Sequence, residues 1–227
     1  MNLSSTSTSA NALQIEAFVC GPLQTNAYLI FDFAAREAVI IDPSIQSDAV
    51  LKRVRELQAQ GVHLTAIWNT HGHFDHVYDN ARWKNQFAVP ILAHPADTFF
   101  LEHLREQALW FGLPAPEIAM PDQDLTPGQR LRVGTHSATV LDVPGHSPGS
   151  VAFDFGAFVI SGDVLFQGSV GRTDLPGCSE ADLATSVRKL FALAPETEIL
   201  PGHGPKTTIE AEKRSNLVAR QLLAQNP

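Results

Sequence analysis

Three histidines and one aspartate lie within six positions of the sequence, in the segment Thr70–His76. His71 and His73 are two residues apart, so in an extended loop their side chains point to the same side. Asp75 and His76 come after the chain has turned and can face a second centre. Imidazole and carboxylate groups are the usual ligands of zinc and other borderline divalent metals. Because core packing gives no comparable reason for this density, the segment predicts a metal site.

Three later segments each offer one further metal ligand, next to a glycine and after a predicted strand. The candidates are His146 after Gly145, Asp163 after Gly162, and His203 after Gly202. Each segment alone is a weak signal, because a histidine that follows a glycine is usually a turn residue. Rigid loops beside a sheet edge commonly carry functional groups, so the three strengthen the prediction made from the dense segment.

The elements that must position these residues occur as strands followed by helices, twice over. In the first half we expect strands at Leu13–Phe18, Asn26–Phe33, Ala38–Ile41, Leu64–Asn69 and Val89–Ala93, with helices over about Ser47–Gln60 and up to Trp110. In the second half we expect strands at Arg130–Val133, Ser137–Asp142, Val151–Phe155, Ala157–Ser161 and Glu198–Leu200, a helix after Ser179 and one final helix near Thr207. This order predicts an α/β sandwich, with two sheets facing each other and helices outside.

The composition is that of an ordinary globular protein. Of the 227 residues, 44% are hydrophobic and 18% are charged, and the length suits one substantial core. Residues 1–11 are rich in Ser and Thr and lack the basic start and apolar centre of a secretory signal, so we expect a disordered tail there. Residues 12–227 are expected to form a single domain.

Charge and cysteine content limit the classes of binding partner and the cellular compartment that we expect for this protein. The formal net charge is -8, and no basic run could neutralise a line of phosphates, which argues against nucleic acid. No apolar run approaches the roughly 20 residues that span a bilayer, so no membrane association is expected. Cys20 and Cys178 are expected to be free thiols in a cytoplasmic protein. The oligomeric state stays open.

The order His71-x-His73-x-Asp75-His76, then His146, Asp163 and His203, resembles the metallo-β-lactamase superfamily. The resemblance runs from about Leu13 to the end of the chain and implies an αββα sandwich of two mixed β-sheets flanked by helices. It implies two divalent metal ions, with zinc expected and iron or manganese also suited to these ligands. It assigns His71, His73 and His146 to the first metal, Asp75, His76 and His203 to the second, and Asp163 to both.

The same resemblance implies hydrolysis by a hydroxide that bridges the two metals. Metal ions lower the pKa of bound water from 15.7 to roughly 7, so hydroxide is present at neutral pH and can attack a polarised carbonyl. Asp75 is expected to act catalytically by orienting that hydroxide. Asp42, at the end of a predicted strand, resembles the acid that orients a metal-binding histidine or its loop; a turn-forming role before Pro43 is an equal alternative.

Within the superfamily the chain resembles the short bacterial members of the glyoxalase II group, the hydroxyacylglutathione hydrolases. The segments that carry this resemblance are Gly21–Tyr28, Ser161–Phe166 and Gly168–Asp174. It implies a small-molecule thioester substrate, such as S-lactoylglutathione, with Arg172 binding a glutathione carboxylate. The alternative for Arg172 is a pair with a neighbour such as Asp174. The helical extension that supplies further glutathione contacts in long members is reduced here to one helix after His203.

Persulfide dioxygenases are the main alternative, because they share the segment Gly171–Asp174 and have a cysteine near the position of Cys178. They use one iron held by two histidines and an aspartate, and would act here on glutathione persulfide. The segment Gly168–Val170 favours the hydrolase. A nuclease would need a basic surface or an inserted domain, and a non-catalytic module would have no use for seven metal ligands.

Two further features have a structural and a functional interpretation. The segment Trp110–Leu113 could form an apolar wall at the site entrance, but core packing is the expected use. The remaining histidines are expected to be ordinary surface or core residues; they are His63, His94, His103 and His136.

Overall fold

The first sheet contains six strands in sequence order. The structure is a computed structural model that describes residues 12–226, so the predicted tail over residues 1–11 lies outside the described residues. The strands are β1 (Gln14–Cys20), β2 (Thr25–Asp32), β3 (Glu37–Ile41), β4 (His63–Trp68), β5 (Ile91–Ala93) and β6 (Gln123–Asp124). Strands β1 to β3 pair antiparallel, and β3 to β6 pair parallel, which makes the sheet mixed.

The second sheet is also mixed and has the order β14-β13-β10-β9-β8-β7. Its strands are β7 (Arg130–Val133), β8 (His136–Asp142), β9 (Val151–Asp154), β10 (Phe158–Gly162), β13 (Glu198–Pro201) and β14 (Thr207–Thr208). Strands β10 and β13 are parallel, and the other neighbours are antiparallel. A small hairpin of β11 (Leu165–Phe166) and β12 (Ser169–Val170) lies between β10 and β13 in the chain.

Helices follow the strands in both halves of the chain. They are α1 (Asp48–Ala59), α2 (Phe74–Val77), α3 (Asn80–Phe87), α4 (Thr98–Glu102), α5 (Leu104–Trp110), α6 (Glu180–Phe191), α7 (Ile209–Ser215) and α8 (Leu217–Gln225). A 3-10 turn at Pro95–Asp97 precedes α4. No helix within residues 12–226 is long and apolar enough to cross a membrane.

Three apolar layers explain why these elements assemble as an αββα sandwich. Strand β2 is buried along its whole length, because one of its faces meets a helix and the other meets the second sheet. On the first side, α1 packs its apolar face on the sheet through Val50, Leu51, Val54 and Leu57. On the far side, α6 does the same for the second sheet through Leu183, Val187 and Leu190. The predicted fold class is confirmed.

The C-terminal region differs from the prediction of one helix after His203. Two helices, α7 and α8, are separated at Asn216, whose backbone is extended. The Asn216 side chain accepts a hydrogen bond from the backbone N–H of Ala219 at 2.8 Å, which caps α8. Its amide also donates to the backbone oxygen of Ser169 at 3.0 Å. Because one buried side chain both caps α8 and holds the small hairpin, the helix breaks at this residue.

Candidate metal centre

The ligands of the first half lie just after the carboxyl end of β4. The chain leaves β4 through a bend at Thr70, and His73, whose backbone is extended, is the N-cap of α2. His71 and His73 therefore precede the helix, whereas Asp75 and His76 lie on it. All four side chains are buried, which is unusual for so many polar groups in one short segment.

The second half brings three side chains to the same place. His146 follows β8, Asp163 follows β10, and His203 follows β13. Two backbone contacts between the sheets hold the loops together. Asn26 donates its backbone N–H to the backbone oxygen of Gly202 at 2.7 Å, and Thr25 forms an isolated antiparallel β-bridge with His203. The dense segment and the three weaker signals therefore meet in one cluster.

The cluster consists of two groups of ligand atoms and a third group, His71, His76 and Asp163, that shares one histidine with each of them. His71, His73 and His146 form one group, and Asp75, His76 and His203 form another; within each group the ligand atoms lie within 4.8 Å of one another.

Asp163 lies between these two groups. Its Oδ2 is 3.5 Å from Nε2 of His146 and 3.4 Å from Nε2 of His203. Its Oδ1 is 3.4 Å from Nε2 of His76. One carboxylate therefore faces histidines of both groups, as expected of a shared ligand.

Several polar atoms of the cluster are buried without a hydrogen-bond partner. Among residues 12–226 these atoms include Nε2 of His71, Nε2 of His76 and Oδ1 of Asp163. An unpaired buried polar atom costs about 1–3 kcal/mol, so a cluster of them is unfavourable without a further group. Imidazole and carboxylate donors suit a divalent cation. The donor set fits, and the His/Asp cluster is able to bind metal ions.

Charge is distributed unevenly across the cluster. Burial, reinforced by the neighbouring imidazoles, lowers the pKa of His71 and brings the pKa of His73 to about 3. These rings are therefore neutral, which is the form that binds a metal. Burial also opposes protonation of His76 and His203, but the adjacent carboxylates outweigh it and raise both pKa values, that of His203 to about 9. His76 and His203 are therefore protonated beside the carboxylates of Asp75 and Asp163, and a cation that binds there has to displace these protons.

The second nitrogen of three imidazoles is held by a fixed acceptor. Nδ1 of His146 lies 2.9 Å from the backbone oxygen of Arg172, and Nδ1 of His203 lies 3.0 Å from that of Leu23. Nδ1 of His76 lies 2.9 Å from Oδ2 of Asp42. Such partners fix the ring orientation and leave the other nitrogen facing the cluster.

Asp42 contacts both a clustered histidine and its loop, as the resemblance implied. Besides His76, it accepts hydrogen bonds from the backbone N–H of Thr70 at 2.8 Å and from the Thr70 hydroxyl at 2.6 Å. Its φ of 52° lies in the left-handed region, which non-glycine residues rarely adopt except Asn, Asp and His. Asp42 therefore anchors the start of the dense segment.

Sequence reasoning missed a second anchor, Asp97. Its side chain is buried and accepts hydrogen bonds from the backbone N–H of Gly72 at 2.7 Å and from that of Gly149 at 2.6 Å. It also accepts one from the Ser147 hydroxyl at 2.7 Å. Asp97 therefore ties the loop of His71 and His73 to the loop of His146. Its sequence context, a single acid between two predicted elements, contains no signal for this role.

Thr25 and Tyr28 on β2 were also not singled out individually. The Thr25 hydroxyl donates to Oδ2 of Asp75 at 2.9 Å, and the Tyr28 hydroxyl donates to the backbone oxygen of Pro201 at 2.7 Å. The only signal for them was the segment Gly21–Tyr28, which carried the family resemblance. Through these contacts, β2 of the first sheet positions ligands from both halves.

The cluster forms the floor of a cavity of about 640 Å³. The cavity walls are mostly aromatic and aliphatic: Leu23, Phe74, Phe99, Phe100, Trp110, Phe111, Phe166, Val170, Leu175 and Pro176. Pockets of this size and character commonly bind small molecules.

The core position expected for Trp110 and Phe111 is wrong. Trp110 is 72% exposed and Phe111 is 53% exposed, and both line the cavity. Phe111 contacts the buried Phe74, with ring centroids 4.8 Å apart, so one ring face is covered and the other is open. His103, expected to be an ordinary histidine, also lines the cavity. The reason is that α5 ends at the cavity mouth, where an apolar side chain has the core on one side only.

Arg172 lies at the cavity, where the resemblance implied a substrate-binding residue. Its guanidinium forms two hydrogen bonds with Asp174, Nε to Oδ1 at 2.6 Å and Nη2 to Oδ2 at 2.8 Å. The alternative pairing is therefore present, and the substrate-binding role stays a prediction. Cys20 and Cys178 are both free, as expected, and Cys178 donates its thiol to the backbone oxygen of His146 at 2.8 Å.

The fold and the cluster define a class of protein. The sequence profile of the metallo-beta-lactamase superfamily matches residues 20–203, which is most of the chain. This chain belongs to the metallo-β-lactamase superfamily, and its fold is that of the superfamily's solved structures.

Three relatives are similar along nearly their whole length. Hydroxyacylglutathione hydrolase GloC of Haemophilus influenzae is 38% identical over 209 residues, covering 90% of this chain and 97% of the relative. The crystal structure of TTHA1623 in a di-iron-bound form is 41% identical with a TM-score of 0.79, covering 89% and 98%. The crystal structure of the BLEG-1 B3 metallo-beta-lactamase is 35% identical with a TM-score of 0.81, covering 90% and 98%. The names of the first and the third relative state different activities, so family membership leaves the reaction open.

Proposed function

We propose that this protein is a metal-dependent hydrolase that cleaves thioesters such as S-lactoylglutathione at a two-metal site. The observation that carries the proposal is the convergence of five histidines and two aspartates on the floor of an apolar cavity. Similarity to hydroxyacylglutathione hydrolase GloC supports a thioester as the substrate class. The expected cytoplasmic location and the single-domain organisation stay predictions.

In this proposal the two groups of ligands hold one metal ion each. His71, His73 and His146 would bind the first ion, Asp75, His76 and His203 the second, and Asp163 would contact both. Bound there, divalent cations supply Lewis acidity and lower the pKa of water, so that hydroxide is available at neutral pH. The proposal extends to two divalent ions, with zinc expected and iron supported by the di-iron form of TTHA1623.

Asp75 is the residue proposed to orient the attacking water. Thr25 donates to Oδ2 of Asp75, and His203 lies 3.2 Å from the same oxygen, so that oxygen is fixed in place. The other oxygen can then accept a hydrogen bond from the water and align its lone pair with the substrate carbonyl. Thioester hydrolysis adds this water to the carbonyl carbon, breaks the C–S bond and releases a carboxylate and a thiol.

Arg172 is the residue proposed to bind a carboxylate of a glutathione conjugate. A guanidinium binds a carboxylate through two parallel hydrogen bonds, and Asp174 occupies that geometry. The substrate must therefore displace Asp174 or share the guanidinium with it. Asp174 is exposed, so displacing it breaks only a surface ion pair that solvent already screens.

The first experiment is elemental analysis of the purified protein together with a thioester-cleavage assay on S-lactoylglutathione. We expect about two metal ions per chain and metal-dependent cleavage. The variant His71→Ala should lose one ion and most activity. His63→Ala is the matched control, because His63 is exposed on β4 and lies outside the cluster, and it should keep both.

Two other results would redirect the assignment. One iron per chain, with oxygen uptake on glutathione persulfide and no thioester cleavage, would make the protein a dioxygenase. Hydrolysis of a chromogenic β-lactam faster than any thioester would favour the activity named for BLEG-1.

A further inference from the structure

The wall of the cavity carries more exposed aromatic surface than a small acyl group needs. Phe99 is 53% exposed, Trp110 is 72% exposed and Phe111 is 53% exposed, and all three line the cavity. Clustered exposed rings are unfavourable in water and commonly mark a binding surface. They come from α4 and from the end of α5, so they form one side of the cavity.

Four further lining residues are apolar as well. They are Phe166, Val170, Leu175 and Pro176. Gln107, a polar residue in the lining, has both ends of its amide engaged: it donates to the backbone oxygen of Phe100 at 2.6 Å and accepts from the N–H of Phe74 at 3.3 Å. Its hydrogen-bonding groups are therefore used within the protein and are not free for a substrate.

Charge on the wall does not match a glutathione moiety. Glutathione carries two carboxylates and one ammonium group. Outside the metal cluster, the fully charged side chains among the described lining residues are Glu106 and Arg172, and the guanidinium of Arg172 is paired with Asp174. Arg172 can bind one carboxylate and Glu106 can bind the ammonium group, and outside the metal cluster the other described lining residues except His103 carry no ionisable group.

The volume points the same way. A cavity of about 640 Å³ lies within the range of about 300–1,000 Å³ that holds drug-sized ligands. A lactoyl group has three carbons, and by itself it leaves most of the apolar wall exposed to water. An aromatic acyl group would cover Trp110 and Phe111 and make offset or edge-on ring contacts with them.

We infer that the cavity selects substrates with a bulky apolar acyl group, which packs on the exposed rings of Trp110 and Phe111. This inference rests on the proposed thioester hydrolysis and specifies its substrate class. The reaction is unchanged: one water is consumed, the C–S bond is broken, and an aromatic carboxylate and a thiol are formed.

The test compares two substrates on the metal-loaded enzyme. S-lactoylglutathione and S-mandeloylglutathione share the thiol and the α-hydroxyl group and differ only in a methyl or phenyl substituent. We expect kcat/KM to be at least 10-fold higher for the mandeloyl thioester. Trp110→Ala should reduce this preference about 10-fold. Leu109→Ala is the matched control, because Leu109 is 59% exposed on the same helix but does not line the cavity, and it should leave the ratio unchanged.

Binding can be measured without turnover. Trp68 and Trp83 are buried, so Trp110 is the solvent-exposed tryptophan and reports on the cavity by fluorescence. Benzamide, an uncharged aromatic probe, should change the tryptophan emission saturably, and Trp110→Phe should abolish the change.

The possible outcomes separate this inference from the proposed function. Equal kcat/KM values for the two thioesters, unaltered by Trp110→Ala, would overturn the acyl preference and leave the hydrolase assignment standing. Cleavage of neither thioester by protein with two bound metals would refute the hydrolase assignment itself. A dimer that Trp110→Ala dissociates, with no benzamide response, would assign the exposed rings to self-association and also overturn the inference.

Discussion

Asp97 is expected to control both the stability of the protein and its affinity for the first metal ion, although it belongs to neither ligand group. It joins the loop of His71 and His73 to that of His146 by accepting hydrogen bonds from Gly72, Gly149 and Ser147. The perturbation is Asp97→Ala, which removes both carboxylate oxygens and does not force a change in the backbone conformation.

The magnitude follows from the donors that lose their acceptor. The Ser147 hydroxyl keeps Ser150 as a partner at 2.8 Å, so the cost falls on the two backbone N–H groups of Gly72 and Gly149. Each buried unpaired N–H costs about 2 kcal/mol, or about 4 kcal/mol together. Burial raises the pKa of Asp97, so its charged form is itself disfavoured, and its removal offsets part of this cost. The expected loss is about 3 kcal/mol, or about 6–12 °C in Tm for a domain of this size.

The assay is thermal unfolding of the metal-free protein, followed by metal titration against a chromophoric chelator. Affinity for the first ion should fall about 10- to 100-fold, as is typical when an outer partner of a metal site is removed. Thr98→Ala is the control, because its hydroxyl bonds only locally to the backbone oxygen of Pro95 and should shift Tm by less than 2 °C. A Tm shift for Asp97→Ala as small as that of the control, with unchanged metal affinity, would refute this account.

Three further changes test other parts of the molecule. Asp42→Asn should lower affinity for the second ion about 10-fold, because it removes the charge that orients His76, and chelator competition would detect it. Gly202→Ala should prevent loading of that ion, since its Cβ would overlap Oδ1 of Asp163. Gly204→Ala is the comparison: its φ of 74° strains any side chain, but open space surrounds its Cβ, so it should lose some stability and retain two ions by elemental analysis. The Asp32 carboxylate is buried, but four hydrogen bonds from Ala34, Ala35 and Thr135 hold its pKa below its ordinary value. Ionised Asp32 therefore stabilises the folded protein fully above the unfolded-state pKa of about 3.9, and this contribution disappears as the pH falls through the lower pKa of the folded state. The urea midpoints of the native protein and of Asp32→Ala should therefore differ at pH 6 and converge in acid.

The fold class and the clustering of the seven residues could be predicted because their signals are local. Strand and helix periodicity predicted both halves of the sandwich, and helix α6 begins after Ser179 as expected, where the Ser179 hydroxyl accepts a hydrogen bond from the backbone N–H of Asp182. Ligand chemistry is concentrated in one short segment, which made the weaker signals at His146 and His203 interpretable.

The supporting residues could not be predicted because their roles depend on distant partners. Asp97 meets Gly72 and Gly149 only after the loops of two sheets have come together, and a lone acid before a helix is common in any sequence. The prediction of a core position for Trp110 was wrong for a related reason. Hydrophobicity says that a side chain avoids water but not whether the protein or a ligand covers it.

The division of the cluster between two sheets has a consequence for the abundance of the protein in a cell. His71 and His76 follow a strand of one sheet, and Asp163 and His203 follow strands of the other. An ion held by both would fasten the two halves of the sandwich together, and a ligand that binds only the folded chain stabilises it by mass action. Under metal starvation, the sheets would separate more often and expose the chain to proteases. We therefore expect the abundance of this protein to follow metal supply even when its transcription is constant.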